Sequence, residues 1–396
     1  MDVAGLRAEF PILGATSRGQ PLHWLDNAST TQKPRAVLDA VHGFSSSWNA
    51  NIHRGVYEFS ERASLAYDGT RETVARFLGT GDPHEVVFTR GTTESINLVA
   101  HGFLAPGATV LVSEMEHHAN IVPWQLAGAR TVPIPVTDRG ELDLEAAARL
   151  LADGPALLAV VHVSNALGTI NPIAELVRMA TAHGVPVLVD GAQAVGHFPV
   201  DVAALGCDFY CFSGHKLFGP TGVGVLWARR AHLEAMRPYQ GGGDMIDIVG
   251  FDRTTFAPVP HRFEAGTPNI SGVIGLDAAI RWVMAHDRDA WAAHEEALFA
   301  DALAAVREIP GLRLLAEPRE RVAVLTFTMD GAHPHDIASI LDGEGVCIRA
   351  GHHCTQPLHR RLDVGASARA SFAPYNDASD VAALVRGLRR VQELFG

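Results

Sequence analysis

The sequence predicts an α/β protein with a large sheet-containing domain followed by a smaller α+β domain. Short apolar runs rich in Val and Leu alternate with helical patterns up to about residue 275. This alternation is typical of a parallel or mixed sheet that helices cover on both faces. Beyond that point a long Ala-rich helical stretch leads into short alternating strands. With 396 residues and 47% hydrophobic content, the chain is long enough to bury both cores.

In chain order, residues 1–15 are predicted to form a short amphipathic helix ending near Pro11, joined to a large domain over 16–275 and a small domain over 276–396. The large domain begins with helical patterns over 34–48 and 59–78. Its predicted strands are the apolar runs 85–89, 109–112, 157–163, 185–189, 209–212 and 223–227. The small domain is predicted to contain a helix over 274–306, strands over 321–328 and 346–349, and helices over 335–342 and 377–394.

Charge and composition exclude several classes of partner. A net charge of −12 argues against binding to nucleic acid or to an anionic membrane. No apolar run approaches the roughly 20 residues that a bilayer span needs. The first ten residues contain acidic side chains and no apolar core of a signal peptide. We therefore expect a cytoplasmic protein whose four cysteines are free thiols.

Lysine is rare in this chain. It occurs only at Lys33 and Lys216, although Lys and Arg together number 32. Lys216 follows the apolar run 209–212, and a partly buried lysine, unlike an arginine, can lose its proton and attack a carbonyl. A surface lysine on a loop is the alternative. The strand-end position, with Ser213 and His215 beside it, favours a Schiff-base lysine.

Asp190 ends the predicted strand 185–189, where ligands bind in open α/β sheets. Together with a Schiff-base lysine, a carboxylate here suits the ring nitrogen of pyridoxal phosphate, because the anion keeps that nitrogen protonated. Gln193 would then donate to the phenolic oxygen of the cofactor. A helix N-cap aspartate is the alternative role.

The segment 90–95, Arg-Gly-Thr-Thr-Glu-Ser, follows a predicted strand and opens a helix. Free N–H groups and hydroxyls at a helix N-terminus bind phosphate. The segment lacks the Gly-Lys-Ser/Thr ending of a P-loop, which argues against a nucleotide triphosphate. Thr92 and Thr93 are the predicted phosphate contacts, and Ser213 and His215 complete them.

Two adjacent histidines, His117 and His118, follow the predicted strand 109–112. Such a pair suggests zinc, but neighbouring side chains diverge and no Cys or carboxylate cluster has ligand spacing. Stacking of one imidazole on a flat cofactor ring fits better, and no metal is predicted.

The four cysteines fall into two groups. Cys207, Cys211 and Cys347 lie in or beside apolar strands and are predicted core residues. Cys354 lies in a loop of Gly, His and Pro, where a nearby imidazolium raises the thiolate fraction of a thiol. It is the predicted nucleophile. Downstream, Arg369 stands in a small-residue strand and suits bidentate capture of a substrate carboxylate, with an interface ion pair as the alternative.

With these residues assembled, the chain resembles the class V aminotransferase-like, fold-type I pyridoxal-phosphate enzymes, and within them the SufS-type (group II) cysteine desulfurases. The resemblance runs almost end to end and its motifs occur in the same order. The matching motifs are 53–55, 90–94, 116–124, 162–165, 190–193, 213–216, 262–268, 349–354 and 368–371. Ala368 departs from relatives that carry Cys there, which leaves the chemistry unaffected.

The resemblance implies a mixed, mostly parallel seven-stranded sheet and pyridoxal 5′-phosphate as cofactor. It implies that Lys216, Cys354 and His117 are catalytic. The implied cofactor contacts are Thr92, Thr93, His117, Asn165, Asp190, Gln193, Ser213, His215, Lys216 and, from the second subunit of a homodimer, Thr267. The implied substrate contacts are Asn165, Arg369, His53 and Arg349.

The implied reaction converts L-cysteine to L-alanine and leaves a persulfide on Cys354. A SufE- or SufU-like protein, working with a SufBCD-type scaffold, is the expected acceptor for iron–sulfur cluster assembly. Selenocysteine lyase, and a pathway-specific enzyme for C–S cleavage or epimerisation, are alternatives on the same scaffold. A non-catalytic scaffold protein is disfavoured by the presence of Lys216, Asp190 and Cys354 together.

Overall fold

The structure, a computed structural model, describes all residues from 1 to 396. Its α-helices are α1 (Val3–Ala8), α2 (Arg35–Ser47), α3 (Glu58–Phe77), α4 (Thr92–Phe103), α5 (Val122–Leu126), α6 (Leu144–Ala152), α7 (Ile173–Thr181), α8 (Ala194–His197), α9 (Val202–Leu205), α10 (Arg230–Ala235), α11 (Ile270–Met284), α12 (Arg288–Arg307), α13 (Pro334–Gly343), α14 (Gln356–Arg361) and α15 (Ala378–Phe395). None of them is both long enough and apolar enough to cross a bilayer.

The strands are β1 (Thr16–Ser17), β2 (Gln20–Pro21), β3 (His23–Trp24), β4 (Val86–Thr89), β5 (Thr109–Ser113), β6 (Arg130–Ile134), β7 (Leu157–Val161), β8 (Val187–Asp190), β9 (Phe209–Ser213), β10 (Gly224–Ala228), β11 (Ile246–Val249), β12 (Thr254–Phe256), β13 (Leu312–Leu314), β14 (Val324–Met329), β15 (Val346–Cys347), β16 (Arg349–Gly351) and β17 (Ser367–Ser371). Short 3-10 turns cover 11–14, 83–85, 118–120, 214–216 and 261–263.

One sheet organises the first part of the chain. Its seven strands lie in the order β4-β10-β9-β8-β7-β5-β6. The strands from β9 to β6 run parallel to one another, and β10 is antiparallel to both β4 and β9. The predicted mixed, mostly parallel α/β fold is therefore confirmed.

Six of the seven strands match the apolar runs in the sequence, and β6 does not. This strand lies at the edge of the sheet, and only its last residue is buried. It also contains Pro133, which is tolerated at an edge because an edge strand lacks a partner on one side. An exposed, proline-containing strand shows neither the apolar run nor the alternation used to identify strands.

The central strands of the sheet bring candidate site residues to one edge. Every residue of β7, β8 and β9 is buried, which explains their continuous apolar sequences. Asp190 is the last residue of β8 and Ser213 is the last of β9. His117 and Asn165 lie in the loops that follow β5 and β7. Because these four strands are parallel neighbours, their carboxyl ends meet at a single edge.

A second, antiparallel sheet forms in the C-terminal part, with the order β13-β14-β17-β16. Its register places Arg349 on β16 directly opposite Arg369 on β17. Two like charges at opposed positions repel each other unless an anion lies between them. The anion is Asp26, which lies in the N-terminal segment. In this segment β3 pairs with β15, and the next residues continue alongside β17, where Asp26 forms a β-bridge with Ser371.

The helix predicted over 274–306 is two helices, α11 and α12. The second begins where Asp287 accepts hydrogen bonds from the N–H groups of Asp289 and Ala290, at 3.1 and 3.0 Å. A side-chain cap of this kind fixes a helix start inside an otherwise continuous Ala-rich pattern. The domain boundary at 275/276 falls within α11 and stays a prediction.

Candidate active site

A cavity of about 200 Å³ opens at the carboxyl ends of the parallel strands and reaches the second sheet. It brings together twelve of the fourteen residues that the sequence predicted for the site. They are Thr92, Thr93, His117, Asn165, Asp190, Gln193, Ser213, His215, Lys216, Arg349, Cys354 and Arg369. His353 also lines the cavity and was not predicted.

Lys216 ends the 3-10 turn that follows β9 and is half-buried in the cavity wall. The turn is held on both sides by Thr31. The N–H and the hydroxyl of Thr31 donate to the carbonyl of His215, at 3.0 and 3.2 Å. The same hydroxyl accepts the N–H of Phe218 at 2.8 Å. Burial lowers the pKa of Lys216 to about 8, against the opposing charge of Asp190. A neutral amine is therefore accessible near neutral pH.

Asp190 is a buried carboxylate that faces the same cavity. Its Oδ1 accepts the N–H of Ala192 at 2.9 Å in the tight turn after β8. Burial raises the pKa of Asp190, while the turn N–H and the charge of Lys216 act in the opposite sense. Gly191 makes the turn possible, because a Cβ there would lie 2.1 Å from the ring of Tyr210. A buried carboxylate is stabilised by a cationic hydrogen-bond donor, which a protonated pyridine nitrogen supplies.

The N-terminus of α4 forms the opposite end of the cavity. The N–H of Thr92 donates to Ser213 Oγ at 2.9 Å, and the Thr92 hydroxyl lies 2.8 Å from the same oxygen. Gly91 precedes the helix with φ of 152° and contributes no side-chain cap. The next N–H groups of the first turn have no acceptor within the helix. Their arrangement suits a phosphate group.

His117 and His118 have different surroundings. His117 Nδ1 accepts the N–H of Ala119 at 3.0 Å, so its proton is on Nε2. Burial lowers the pKa of His117 to about 3 and keeps the ring neutral. His118 instead holds the Cys354 loop, since its N–H donates to the Cys354 carbonyl at 2.8 Å. The His118 ring also contacts the loop, since its Nε2 accepts the N–H of Gln356 at 3.1 Å, so the two adjacent rings have different partners.

Glu116 supports the histidine segment and was not predicted. It is fully buried, and it accepts the N–H of Val161 at 2.9 Å and the amide of Asn120 at 2.7 Å. Ser113 donates to it at 2.5 Å. Burial raises the pKa of Glu116 to about 8. These contacts join the end of β5, the histidine turn and β7.

Cys354 is an exposed thiol at the mouth of the cavity. His353 and Cys354 both adopt positive φ, 50° and 59°. Arg349, Arg369 and Lys216 all lie near Cys354 and line the same cavity. The imidazolium expected beside the thiol is not supplied by His353, whose pKa burial lowers to about 2. The nearby positive charge comes from the arginines and the lysine instead.

The two opposed arginines share one carboxylate. Arg369 is buried and donates to the Asn165 carbonyl at 2.7 Å and to Asp26 Oδ1 at 3.3 Å. Arg349 donates to both carboxylate oxygens of Asp26, at 3.0 to 3.3 Å. Asp26 was not identified from the sequence, because its partners lie more than 300 positions away. Its place in the Leu-Asp-Asn-Ala-Ser loop gave no signal.

Two predicted residues lie outside the cavity. His53 pairs with Asp68 at 3.5 Å and lines a separate polar cavity of about 270 Å³. Thr267 lines a third cavity, bordered by Arg90 and Tyr239. Within one chain, neither residue contributes to the site around Lys216. Gln193 does line the site, and its amide donates to the Ala28 carbonyl at 2.6 Å.

Unpartnered buried atoms indicate what the cavity binds. Asn165 Oδ1, His353 Nδ1 and Arg369 Nε have no hydrogen-bond partner. Such atoms are costly unless a ligand satisfies them. A carboxylate suits the guanidinium of Arg369, a phosphate suits the start of α4, and a cationic ring nitrogen suits Asp190. These residues fit pyridoxal 5′-phosphate together with an amino acid. No group of three or more His, Cys, Asp or Glu side chains is arranged to hold a metal ion.

The mixed seven-stranded sheet, the strand-end aspartate and the half-buried lysine define a fold-type I pyridoxal-phosphate enzyme. The chain belongs to the Aminotransferase class-V family, whose profile matches residues 23–384. Membership confirms the predicted family and cofactor.

Curated relatives with the name cysteine desulfurase cover the whole chain. One from Dickeya dadantii is 48% identical over 400 residues, covering 99% of this chain and 97% of its own. One from Klebsiella pneumoniae is 47% identical over 404 residues, covering 100% and 99%. A third, from Synechococcus elongatus, is 45% identical over 399 residues, and the match covers 99% of this chain but 64% of that longer protein.

Solved structures give the same result. The cysteine desulfurase CsdA from Escherichia coli superposes with a TM-score of 0.92 at 40% identity, covering 100% of both chains. A cysteine desulfurase from Thermococcus onnurineus has a TM-score of 0.91 at 36% identity, covering 99% of this chain and 98% of its own. The predicted activity agrees with the names of these relatives.

Proposed function

We propose that this protein is a cysteine desulfurase that converts L-cysteine to L-alanine and carries the sulfur as a persulfide on Cys354. The observation that supports this most directly is the position of Cys354. It is the one exposed thiol of the chain, and it lines the same cavity as Lys216 and Asp190. The other thiols are buried or half-buried, and burial raises the pKa of Cys207 to about 12.

Different residues of the chain carry out substrate binding, proton abstraction and stabilisation of the cofactor ring. Arg369 binds the substrate carboxylate. Hydrogen bonds to Asp26 and to the Asn165 carbonyl already orient its guanidinium group, including Nε. Lys216 Nζ, with its lowered pKa, takes the proton from the substrate Cα. Pyridoxal 5′-phosphate, when bound, supplies an electron sink. Asp190 supplies the negative charge that holds the ring nitrogen protonated.

Sulfur transfer uses Cys354. Its thiolate attacks the substrate sulfur, a bond forms between the two sulfurs, and the bond from the substrate sulfur to Cβ breaks. The electron pair goes to Cβ, which takes up a proton to complete alanine. Cysteine and the Cys354 thiol thus yield alanine and the Cys354 persulfide with no external oxidant. His117 Nε2–H is a proton donor on the cofactor side of the cavity.

The proposal includes a homodimer. His53 and Thr267 lie outside the cavity of their own chain, so their expected roles require a second copy. Exposed apolar side chains support an interface on this part of the surface. They are Val56 and Tyr57 beside His53, and Ile248, Val249 and Phe251 on the β11–β12 hairpin. Analytical ultracentrifugation tests the dimer, and a monomer at micromolar concentration would contradict it.

We also propose a SufE- or SufU-like sulfur acceptor, a SufBCD-type scaffold and a cytoplasmic setting for iron–sulfur cluster assembly. The support is the SufS-type motif order and the exposure of the Cys354 loop, from which an acceptor thiol can take the sulfur. Addition of purified acceptor should accelerate alanine release. No acceleration by either class of acceptor would contradict this part of the proposal.

The deciding experiment is intact-mass analysis after one turnover with L-cysteine and no reductant. The protein should gain about 32 Da, one sulfur atom, on the peptide containing Cys354. Cys354→Ser should bind L-cysteine, gain no mass and release little alanine, because a hydroxyl is a poor nucleophile towards sulfur.

Cys347→Ser is the matched control and should gain the sulfur like the unmodified protein. Persulfide on Cys207, Cys211 or Cys347, or full alanine production by Cys354→Ser, would contradict the proposal. Turnover of selenocysteine but not cysteine by the unmodified protein would favour the lyase.

A further inference from the structure

A chain of buried hydrogen bonds lies behind the Cys354 loop and ends at the cavity wall. It joins Thr355, His359 on α14, Ser367 on β17 and His353. None of these residues has a part in the chemistry above. His359 is 1% exposed, Ser367 0% and His353 6%, so water does not compete for their polar atoms.

The direction of these hydrogen bonds follows from the first link. His359 Nδ1 lies 3.1 Å from the Thr355 carbonyl, which can only accept. It also lies 3.4 Å from the Thr355 hydroxyl, whose proton is already donated to the His352 carbonyl at 2.8 Å. Both neighbours therefore accept, and the proton of His359 is on Nδ1. Burial lowers the pKa of His359, so the ring is neutral and its Nε2 is an acceptor.

The donor and the acceptor in each of the remaining hydrogen bonds are then determined. Ser367 Oγ lies 2.9 Å from His359 Nε2 and must donate its single proton there. The same oxygen lies 3.0 Å from His353 Nε2 and must accept from it. His353 is therefore protonated on Nε2. In a neutral ring this leaves Nδ1 as an unprotonated acceptor. Nδ1 is buried and has no partner, and His353 is one of the residues that line the cavity.

We infer that His353 Nδ1 accepts the S–H hydrogen bond of the bound cysteine, and that Ser367 and His359 are positioning residues that hold His353 in this tautomer. Bound cysteine offers two donors, its amine and its thiol. The thiol must come to Cys354, which is adjacent to His353 in the chain. The hydrogen bond would orient the substrate sulfur for attack and leave its proton on the sulfur, where the persulfide retains it.

This inference rests on the proposed function, because it assumes a thiol substrate. It can nevertheless be tested without turnover. In protein labelled with ¹⁵N-histidine, the imidazole resonances of His353, assigned by their loss in His353→Phe, report the protonation of each ring nitrogen. We expect protonated Nε2 and unprotonated Nδ1. Protonated Nδ1 in the unmodified protein would overturn the inference even if desulfurase activity is present.

Ligand binding tests the role of the acceptor. Binding to the cofactor-loaded enzyme is followed through the visible band, with Cys354→Ser as the background to prevent sulfur transfer. His353→Phe keeps the ring volume and removes the acceptor, whereas His353→Asn presents an amide oxygen near the Nδ1 position. His353→Phe should bind L-cysteine about three- to tenfold more weakly, since one hydrogen bond contributes about 0.5–1.5 kcal/mol. His353→Asn should recover part of this loss.

Substrate analogues distinguish the thiol from the amine. S-methyl-L-cysteine and L-alanine share the amine and carboxylate but lack the S–H group, so His353→Phe should leave their binding unchanged. Equal weakening of all three ligands would overturn the thiol assignment.

The positioning role has its own matched pair. Ser367→Ala removes the hydroxyl between the two imidazoles, and Ser367→Thr retains it. Ser367→Ala should show a mixture of His353 tautomers and weaker cysteine binding, and Ser367→Thr should restore both. Cysteine binding by Ser367→Ala as tight as by Ser367→Thr would overturn the positioning role of the Ser367 hydroxyl.

Discussion

The two sides of the cavity are built from different kinds of structure. On the side expected to hold the cofactor, Asp190 ends β8 and Lys216 follows β9, two central strands in which every residue is buried. On the acceptor side, Cys354 lies in an exposed loop with two consecutive residues at positive φ. In the proposed reaction, strand ends fix the atoms that must not move during proton transfer. The loop leaves a thiol that can be reached both from the cavity and from solvent.

The cofactor side should be the less tolerant of the two. Lys216→Ala should lose the covalently fixable cofactor and lower turnover by at least roughly 10³-fold, since a positioned acid–base group contributes about 10²–10⁴-fold. Borohydride reduction followed by peptide mass analysis measures the attachment.

Lys33→Ala is the control, because Lys33 is the other lysine of the chain and donates only to Thr30 and Thr31. Cofactor that remains covalently fixed in Lys216→Ala would show that the lysine assignment is wrong.

Asp190→Asn should keep the fold and the attachment but lower turnover by roughly 10²–10³-fold, the usual loss when a preorganised electrostatic contact is removed. An amide cannot hold the ring nitrogen protonated, so the visible band should also change. Steady-state kinetics and absorbance measure the two effects. Turnover within twofold of the unmodified enzyme would indicate that Asp190 serves only as the acceptor for the Ala192 N–H.

The acceptor side depends on Asp26 for the pairing of its two arginines. Asp26→Ala leaves the buried Arg369 without a carboxylate and should lower the free energy of unfolding by about 3 kcal/mol, as expected for a broken buried ion pair. Urea denaturation of the protein measures this change.

Asp138→Ala is the matched control, since Asp138 is 92% exposed and its pair with Arg361 should contribute at most about 1 kcal/mol. Equal effects of the two substitutions would mean that the buried Arg369 does not need Asp26.

Arg369→Ala should raise KM for L-cysteine by roughly 10- to 100-fold, with a smaller change in kcat. Hydrogen bonds to a charged group contribute about 1.5–3 kcal/mol, and the carboxylate contact is common to ground and transition states. Arg369→Lys should recover only part of this, because an ammonium cannot reproduce the planar fork. An unchanged KM in both variants would place the carboxylate site elsewhere.

The smallest expected effect concerns the two lysines, whose burial lowers both pKa values to about 8. In protein without cofactor, only the neutral amine reacts with an acylating reagent, so labelling of each lysine should rise as the pH passes through about 8. An unperturbed lysine would rise only near about 10.4. Peptide mass analysis separates the two sites, and a midpoint near 10 at Lys216 would contradict its burial.

Much of the site was predictable because its chemistry is tied to local patterns. A polar residue after an apolar run marks a strand end, which located Asp190 and Ser213. Lys216 was identified because lysine is rare in a chain whose basic residues are almost all arginine. Local patterns did not reveal residues whose partners are distant in the chain. Asp26, Glu116 and the His353–Ser367–His359 relay were missed because each is defined by contacts between separate strands and loops.

The sequence by itself determined the α/β class, the strand-end placement of the lysine and aspartate, and the distinction between the exposed loop cysteine and the buried Cys207 and Cys211. Cys347, which was expected in the core, is half-buried. Periodicity and residue type carry these properties along the chain. Only the tertiary structure decided which charges meet. It placed Arg349 opposite Arg369 with Asp26 between them, made His353 neutral through burial, and put His53 and Thr267 outside their own cavity. Pairing and burial depend on distances between segments far apart in sequence, which no local pattern records.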